Sequence, residues 1–268
     1  MFIGYLRNDF EEALEPLSQS NILVDIELLK NTYKAFPQYC FAAYKENTIV
    51  GVLSAYAFEN SVFVNVLEVD KNNKEVLVRL MKLFLQNVST SNVFLLVENG
   101  LCSDLKEFDF NIHSEFVRFM HSGDPVAFNF SNTHAKQVSI ENYDEILKKL
   151  SSSVLNENVY DYFHKDCVFG NSLKLGTQSG ILHSYVVNKR FIKISPWFMK
   201  SETFLEAEKL LRGVLYYRGL KKIYAYAPKE VKEITQLYES YKFKAEASFK
   251  LLYLGEKPQL RLENLYAI

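Results

Sequence analysis

One order of local patterns occurs twice in this chain: strand, helix, strand, helix, strand. The second copy is displaced from the first by about 130 residues, a domain-scale repeat rather than a solenoid period. An alternation of strands and helices on this scale points to an α/β or α+β sheet protein with two similarly built halves.

In the first half, residues 38–45 (QYCFAAYK) and 49–58 (IVGVLSAYAF) read as two strands joined by a turn at Glu46, Asn47 and Thr48. Residues 61–69 (SVFVNVLEV) alternate and predict a third strand. Leu77, Leu80, Met81, Phe84 and Val88 then fall on one helical face. The apolar run 93–97 (VFLLV) suits a buried strand, 101–108 a short helix, and 115–121 a closing strand. Ser122, Gly123, Asp124 and Pro125 break the pattern, placing a domain boundary at 124.

The second domain, 125–268, opens with an irregular helical lead-in over about 125–178, in which 141–150 reads as helix and 159–169 is open between helix and loop. Residues 181–187 and 191–194 form a hairpin around Asn188, Lys189 and Arg190. A helix follows, with Thr203 and Glu206 at capping-box spacing and Gly219 as its left-handed end. Residues 222–227 form a strand, and Pro228 opens a helix carrying Val231, Ile234, Tyr238 and Tyr241. Residues 247–254 form the last strand, and 196–201 reads as the loop before the capped helix.

Composition excludes several classes. The net charge of −1 gives no global field for nucleic acid or an anionic membrane, so neither is expected as a partner. With 10 Gly and 6 Pro, long disordered linkers are not expected. Cys40, Cys102 and Cys167 are odd in number and far apart, which fits reduced thiols and a cytoplasmic setting. His113, His121, His134, His164 and His183 form no pair at ligand spacing, so no metal site is expected. The N-terminal stretch turns acidic too early for a signal peptide, and no run reaches the ~18 apolar residues of a membrane span.

Several of these segments carry a family likeness. Residues 40–69, with Gly51 in an Ile49-Val50-Gly51 turn-to-strand motif, resemble the GNAT (N-acetyltransferase) pattern. Leu237-Tyr238-Glu239-Ser240-Tyr241-Lys242-Phe243 is similar to that family's Leu-Tyr-Glu-x-x-Gly-Phe segment. Ile194-Ser195-Pro196-Trp197 and the Glu/Ala/Leu-rich helix after it look like the second domain of tandem GNAT-type acetyltransferases. The resemblance implies two tandem GNAT-like domains, each a mixed, mostly antiparallel sheet with helices on both faces.

It also implies acetyl-CoA as co-substrate and transfer of the acyl group to a small-molecule or peptide amine. The cofactor would run along the end of the third strand at Leu67 and Val69. Its pyrophosphate would meet the following loop and helix start at Lys74, Glu75, Val76, Leu77 and Arg79, where free amides and the helix dipole favour anions. The family's glycines in that loop are replaced by Leu77 and Arg79, and the matching second-half loop at 196–201 also lacks them. Tyr238 stands at the position of the family's thiolate-protonating tyrosine, where the first half has Phe108 and Phe110, and Glu68 lies where a general base would sit.

His164, Asp166 and Cys167 invite a nucleophile reading, but no oxyanion element accompanies them. Lys189-Arg190 and Lys221-Lys222 read as hairpin and helix-end charges. The expected activity is acyl-CoA-dependent N-acyl transfer. The alternatives are a catalytically silent tandem scaffold expected to hold a ligand or protein partner in the inter-domain cleft, and an aminoacyl- or fatty-acyl-transferring relative of the same architecture.

Overall fold

The structure is a computed structural model of the 268-residue chain, described here for all residues except 22, 71, 72, 74, 91, 127–134 and 139. The chain forms β1 (Phe2–Tyr5), α1 (Phe10–Ser20), α2 (Ile26–Ala35), β2 (Cys40–Lys45), β3 (Thr48–Ala57), β4 (Val62–Val69), α3 (Glu75–Asn87), β5 (Val93–Glu98) and a 3-10 segment (Asn99–Phe108). It continues through β6 (Asn111–His121), β7 (Lys136–Gln137), α4 (Ile140–Leu155), a π-helical turn (Tyr162–Asp166), β8 (Leu173–Gly176), β9 (Gly180–Val186) and β10 (Phe191–Met199). The last elements are α5 (Phe204–Arg218), β11 (Lys222–Pro228), α6 (Lys232–Ser240), β12 (Lys244–Leu254) and β13 (Leu265–Ala267).

Two compact units result. One comprises Met1–His113 with Lys250–Lys257, the other Ser114–Phe249 with Pro258–Ile268. Most of β6, from the first 124 residues, therefore belongs to unit 2, and 250–257, from the later part of the chain, belongs to unit 1.

Unit 1 holds the strand order β1-β2-β3-β4-β5, followed by the 250–254 part of β12. Its first three pairs are antiparallel and β4/β5 is parallel. The β2–β3 turn puts both Glu46 and Asn47 at positive φ, 53° and 72°, the twist that a tight hairpin requires. Helix α3 lays Val76, Leu77, Leu80, Met81 and Phe84 into a core with Leu53 and Leu95. Each such side chain, fully buried, is worth about 1.5–3 kcal/mol.

Unit 2 holds β7-β8-β9-β10-β11-β6 and then the 244–249 part of β12. The β10/β11 pair is parallel, and β7/β8, β8/β9, β9/β10 and β11/β6 are antiparallel. Ile194, Trp197, Leu211, Val214, Ile223 and Tyr238 are central to its core.

Four local expectations change. Helices α1 and α2 were not anticipated. Phe10, Leu14 and Leu17 carry the helical spacing of α1, but Pro16 lies inside it, and Asp25 caps α2 by accepting the Leu28 N–H at 3.1 Å. The loop expected at 196–201 is mostly strand, because β10 runs on to Met199 and is buried throughout that stretch. Thr203 makes no side-chain cap; its hydroxyl donates back to the Lys200 carbonyl at 2.6 Å, while Glu206 pairs with Lys209 at 2.6 Å. Pro228 ends β11 instead of opening a helix, and α6 starts at Lys232. Gly219 does take positive φ, at 63°, directly after α5.

Candidate functional site

In unit 1, β3 pairs with β4 from Ala57↔Val62 to Gly51↔Val69. On the other side of β4, among the described residues, the parallel ladder with β5 covers Val62↔Val93, Phe63↔Phe94 and Val64↔Leu95 and goes no further. Both strands continue past that point, β4 to Val69 and β5 to Glu98. At the same point the β3/β4 register jumps from Ala55↔Val64 to Ser54↔Val66. Asn65 is thus the extra residue of a β-bulge, which bends its strand and ends regular pairing. A bulge beside a ladder that stops halfway marks where β4 and β5 cease to pair regularly, among the described residues.

Side chains fasten the bulge from behind. The Asn65 Nδ2 donates to Thr32 Oγ1 at 2.7 Å, and Ser54 Oγ donates to Asn65 Oδ1 at 2.8 Å. Thr32 in turn donates to the Leu28 carbonyl at 2.8 Å. Thr32 and Ser54 are fully buried, so this chain ties α2, β4 and β3 together away from water. Further along β4, half-buried Glu68 accepts a short hydrogen bond from the Asn21 side-chain amide at the end of α1. The Asn21 Oδ1 takes the Leu23 N–H at 3.2 Å, which fixes the amide with its nitrogen toward Glu68.

Beyond β4 the chain turns into α3. Asp70 N–H bonds the Val50 carbonyl at 2.8 Å, Asn73 N–H bonds the Asp70 carbonyl at 2.8 Å, and Val76 N–H bonds the Asn73 carbonyl at 2.9 Å. Gly51 explains how closely α3 docks: a Cβ there would lie 2.5 Å from Val76 Cγ1 and 3.1 Å from Leu80 Cδ1. Val76 and Leu77 are buried in the core, so the Leu77 side chain is turned inward. Glu75 and Arg79 are exposed, while Leu67 and Val69 are half-buried at the end of β4. Lys71 and Lys74 lie outside the described residues.

Unit 2 repeats the arrangement with one difference. The parallel β10/β11 ladder covers Phe191↔Lys222, Ile192↔Ile223 and Lys193↔Tyr224, and the β9/β10 register then shifts between Ile194 and Trp197. Past this point β13 pairs with β10, Trp197↔Ala267 and Phe198↔Leu265. Tyr238 sits against that strand. It is fully buried, its ring stacks on Phe119 at 4.9 Å, and its hydroxyl donates to the Tyr266 carbonyl at 3.1 Å. Burial pushes its phenol well above the ordinary range.

The other candidates are dispersed. His164 Nδ1 lies 2.9 Å from Asp144, under the ring of Tyr160 at 4.8 Å. Cys167 is a buried thiol, as is Cys40, whose pKa burial pushes up to about 12. His183, which the sequence did not single out, is fully buried between the Ser195 carbonyl at Nδ1 (2.7 Å) and Ser172 Oγ at Nε2 (2.8 Å). The carbonyl can only accept, so Nδ1 carries the proton and Nε2 accepts from Ser172. Burial holds His183 neutral, with a pKa lowered to about 3. Among the described residues no group of three or more His, Cys, Asp or Glu could hold a metal ion, and no helix is long and apolar enough to cross a membrane.

The fold as described, two units each with a parallel ladder that ends at a bulge, is that of GNAT acetyltransferases in their tandem form. A provisionally assigned acetyltransferase from Pyrococcus horikoshii is similar at TM-score 0.75 and 17% identity, over 100% of this chain and 93% of that one. A GCN5-related N-acetyltransferase from Sphaerobacter thermophilus is similar at TM-score 0.60 and 10% identity, over 98% of both chains. A tandem GNAT protein from the clavulanic acid biosynthesis pathway is similar at TM-score 0.61 and 9% identity, over 94% of this chain and 97% of that one. No protein-family model and no curated protein sequence matches this chain. At these identities the likeness speaks for the fold.

Proposed function

We propose that this chain is an acyl-CoA-dependent N-acyltransferase whose acyl-CoA site is the open edge of β4 in unit 1. The observation that carries this reading is the β4/β5 ladder stopping at Val64↔Leu95, beside the Asn65 bulge, with α3 starting a few residues past the end of β4. An extended acyl-pantetheine carries amides that can add along such an edge like a strand. Its pyrophosphate would then meet the first turn of α3, where the helix dipole favours an anion although the Val76 amide already bonds the Asn73 carbonyl; the inward Leu77 side chain leaves that approach clear. Arg79 on the exposed side of α3, and Lys74 just before it in sequence, would supply countercharge.

In this reading Glu68 is the general base. It takes the proton of the acceptor amine as the amine nitrogen attacks the thioester carbonyl. The C–N bond forms, the C–S bond breaks, and CoA leaves as the thiolate, which takes back the proton held by Glu68, directly or through water, and so restores the carboxylate. Asn21 holds the carboxylate in place. Tyr238 stands outside this site, locked inside unit 2. The acceptor is a small-molecule or peptide amine, and three cysteines outside any disulfide fit a reducing cytoplasmic setting.

Isothermal titration with acetyl-CoA tests the reading. Saturable binding, weakened by Arg79→Ala, together with Glu68→Gln that lowers turnover at unchanged acetyl-CoA affinity, supports it. A wild-type protein that takes up neither acetyl-CoA nor longer acyl-CoAs would leave the silent tandem scaffold as the better account.

A further inference from the structure

We propose that β13 and the residue after it, 265–268, are bound in cis as an added strand in the slot of unit 2, closing it to any extended ligand and leaving unit 1 as the open acyl-CoA site of the chain. The choice of acyl-CoA as the excluded ligand rests on the function proposed above; the occupancy itself rests on unit 2 alone.

The parallel ladder of β10 with β11 ends at Lys193↔Tyr224, although both strands run on, to Met199 and Pro228. Strand β13 is hydrogen-bonded to one wall through its pairing with Trp197 and Phe198 of β10. The Ile268 N–H reaches the other wall, donating to the Tyr226 carbonyl of β11 at 3.1 Å. A segment bonded to both diverging strands satisfies the backbone groups that the split leaves open, as an added strand does. Leu265 and Ala267 have no exposed surface and Tyr266 has 3%.

Side chains placed at the slot hold the segment. Asn264 Nδ2 donates to the Met199 carbonyl at 2.9 Å and to Ser201 Oγ at 3.1 Å. Tyr238, the residue a family likeness would cast as an acid, donates its hydroxyl to the Tyr266 carbonyl. Trp197 packs its ring on Tyr266 with centroids 5.0 Å apart. The groups that would face a ligand in this slot face the chain's own strand instead.

Hydrogen exchange read by mass spectrometry on the full chain tests the occupancy without any ligand. Amides at 265–268 are expected to exchange at least about 100-fold more slowly than in free peptide, as buried, paired strand does. Exchange at the free-peptide rate would overturn the proposal. Ala267→Asp places a carboxylate where no water reaches, which a strand cannot tolerate in place. Protection at 265–268 should then fall to within about tenfold of free peptide while β2, β3 and β4 keep theirs; retained protection would count against the proposal. Should that variant unfold throughout, β2 to β4 lose protection too and the wild-type measurement decides.

Saturating acetyl-CoA added to the wild type should slow exchange in β4 and α3 but leave β10 and β11 unchanged. New protection in β10 and β11 would overturn the proposal. No change anywhere would count against the acyl-transfer reading only, since the ligand-free exchange at 265–268 is read separately.

Discussion

Replacing Asn65 with leucine should damage both the stability of unit 1 and its proposed ligand edge. In the wild type, Asn65 accepts from Ser54 at 2.8 Å and donates to Thr32 at 2.7 Å. Leucine offers neither group. The Ser54 hydroxyl, with no exposed surface, would lose its acceptor, and Thr32 Oγ1 would lose its donor while still bonding the Leu28 carbonyl. A stranded buried hydroxyl is worth about 1–3 kcal/mol and a lost ordinary hydrogen bond about 1 kcal/mol. Leucine recovers part of this by burying more apolar surface, so the net loss should be about 2–3 kcal/mol. For a chain of this size that is a fall in Tm of roughly 4–12 °C.

The double variant Ser54→Ala/Asn65→Leu removes both the donor and its acceptor. It should be less destabilised than the sum of the single variants by about 1 kcal/mol. Urea titrations of the four proteins in the cycle measure this directly. Strict additivity, or an Asn65→Leu protein that melts with the wild type, would refute the idea that this side-chain chain holds the bulge. Acetyl-CoA affinity should fall further in Asn65→Leu than in Ser54→Ala, because only the first also removes the bond to Thr32.

Three other outcomes are expected. Gly51→Ala drives a methyl to 2.5 Å from Val76 Cγ1, so α3 must shift; stability should drop by about 1–3 kcal/mol and acetyl-CoA should bind more weakly, as denaturation and calorimetry would show. Tyr238→Phe leaves the Tyr266 carbonyl short of a donor and should lower stability by about 1–2 kcal/mol with turnover unchanged; reduced turnover in a fully folded variant would restore Tyr238 to the chemistry. His183 has a folded pKa of about 3 against an ordinary value of 6.5, so the unfolded chain binds the extra proton between those limits. Its stabilising effect is complete above pH 6.5 and declines as pH falls, by about 2 kcal/mol at pH 5; His183→Gln should flatten that part of the wild-type profile, and parallel profiles would contradict the assignment.

The sequence carried the fold's larger elements because their signals are local. The alternation of 61–69 and the spacing of Leu77, Leu80, Met81 and Phe84 each depend on one segment, and both became the expected elements β4 and α3. The slot was less visible because it is a relation between strands. Asn65 reads as an ordinary polar position in an alternating strand; only its register against Ser54 and Ala55 makes it a bulge. Strand β13 spans Leu265–Ala267, too short a run to produce a periodic signal, and it matters through the partners it finds in β10 and β11. Tyr238 illustrates the same gap: its position in α6 was legible, but its partner Tyr266 was not. Pro16 hid α1, although Phe10, Leu14 and Leu17 marked its inward face.

The exchange of strands between the halves bears on synthesis. Unit 1 draws on Lys250–Lys257, so a ribosome that has made its first 113 residues has not yet made all of its sheet. Domains usually fold in order as they emerge, but here the first unit must wait for a segment translated more than a hundred residues later. Released fragments that stop near residue 125 should therefore remain open to protease, and released chains that run past 257 should close unit 1 in a single step. The two units are bound to mature together, and a chain cut between them cannot yield two finished halves.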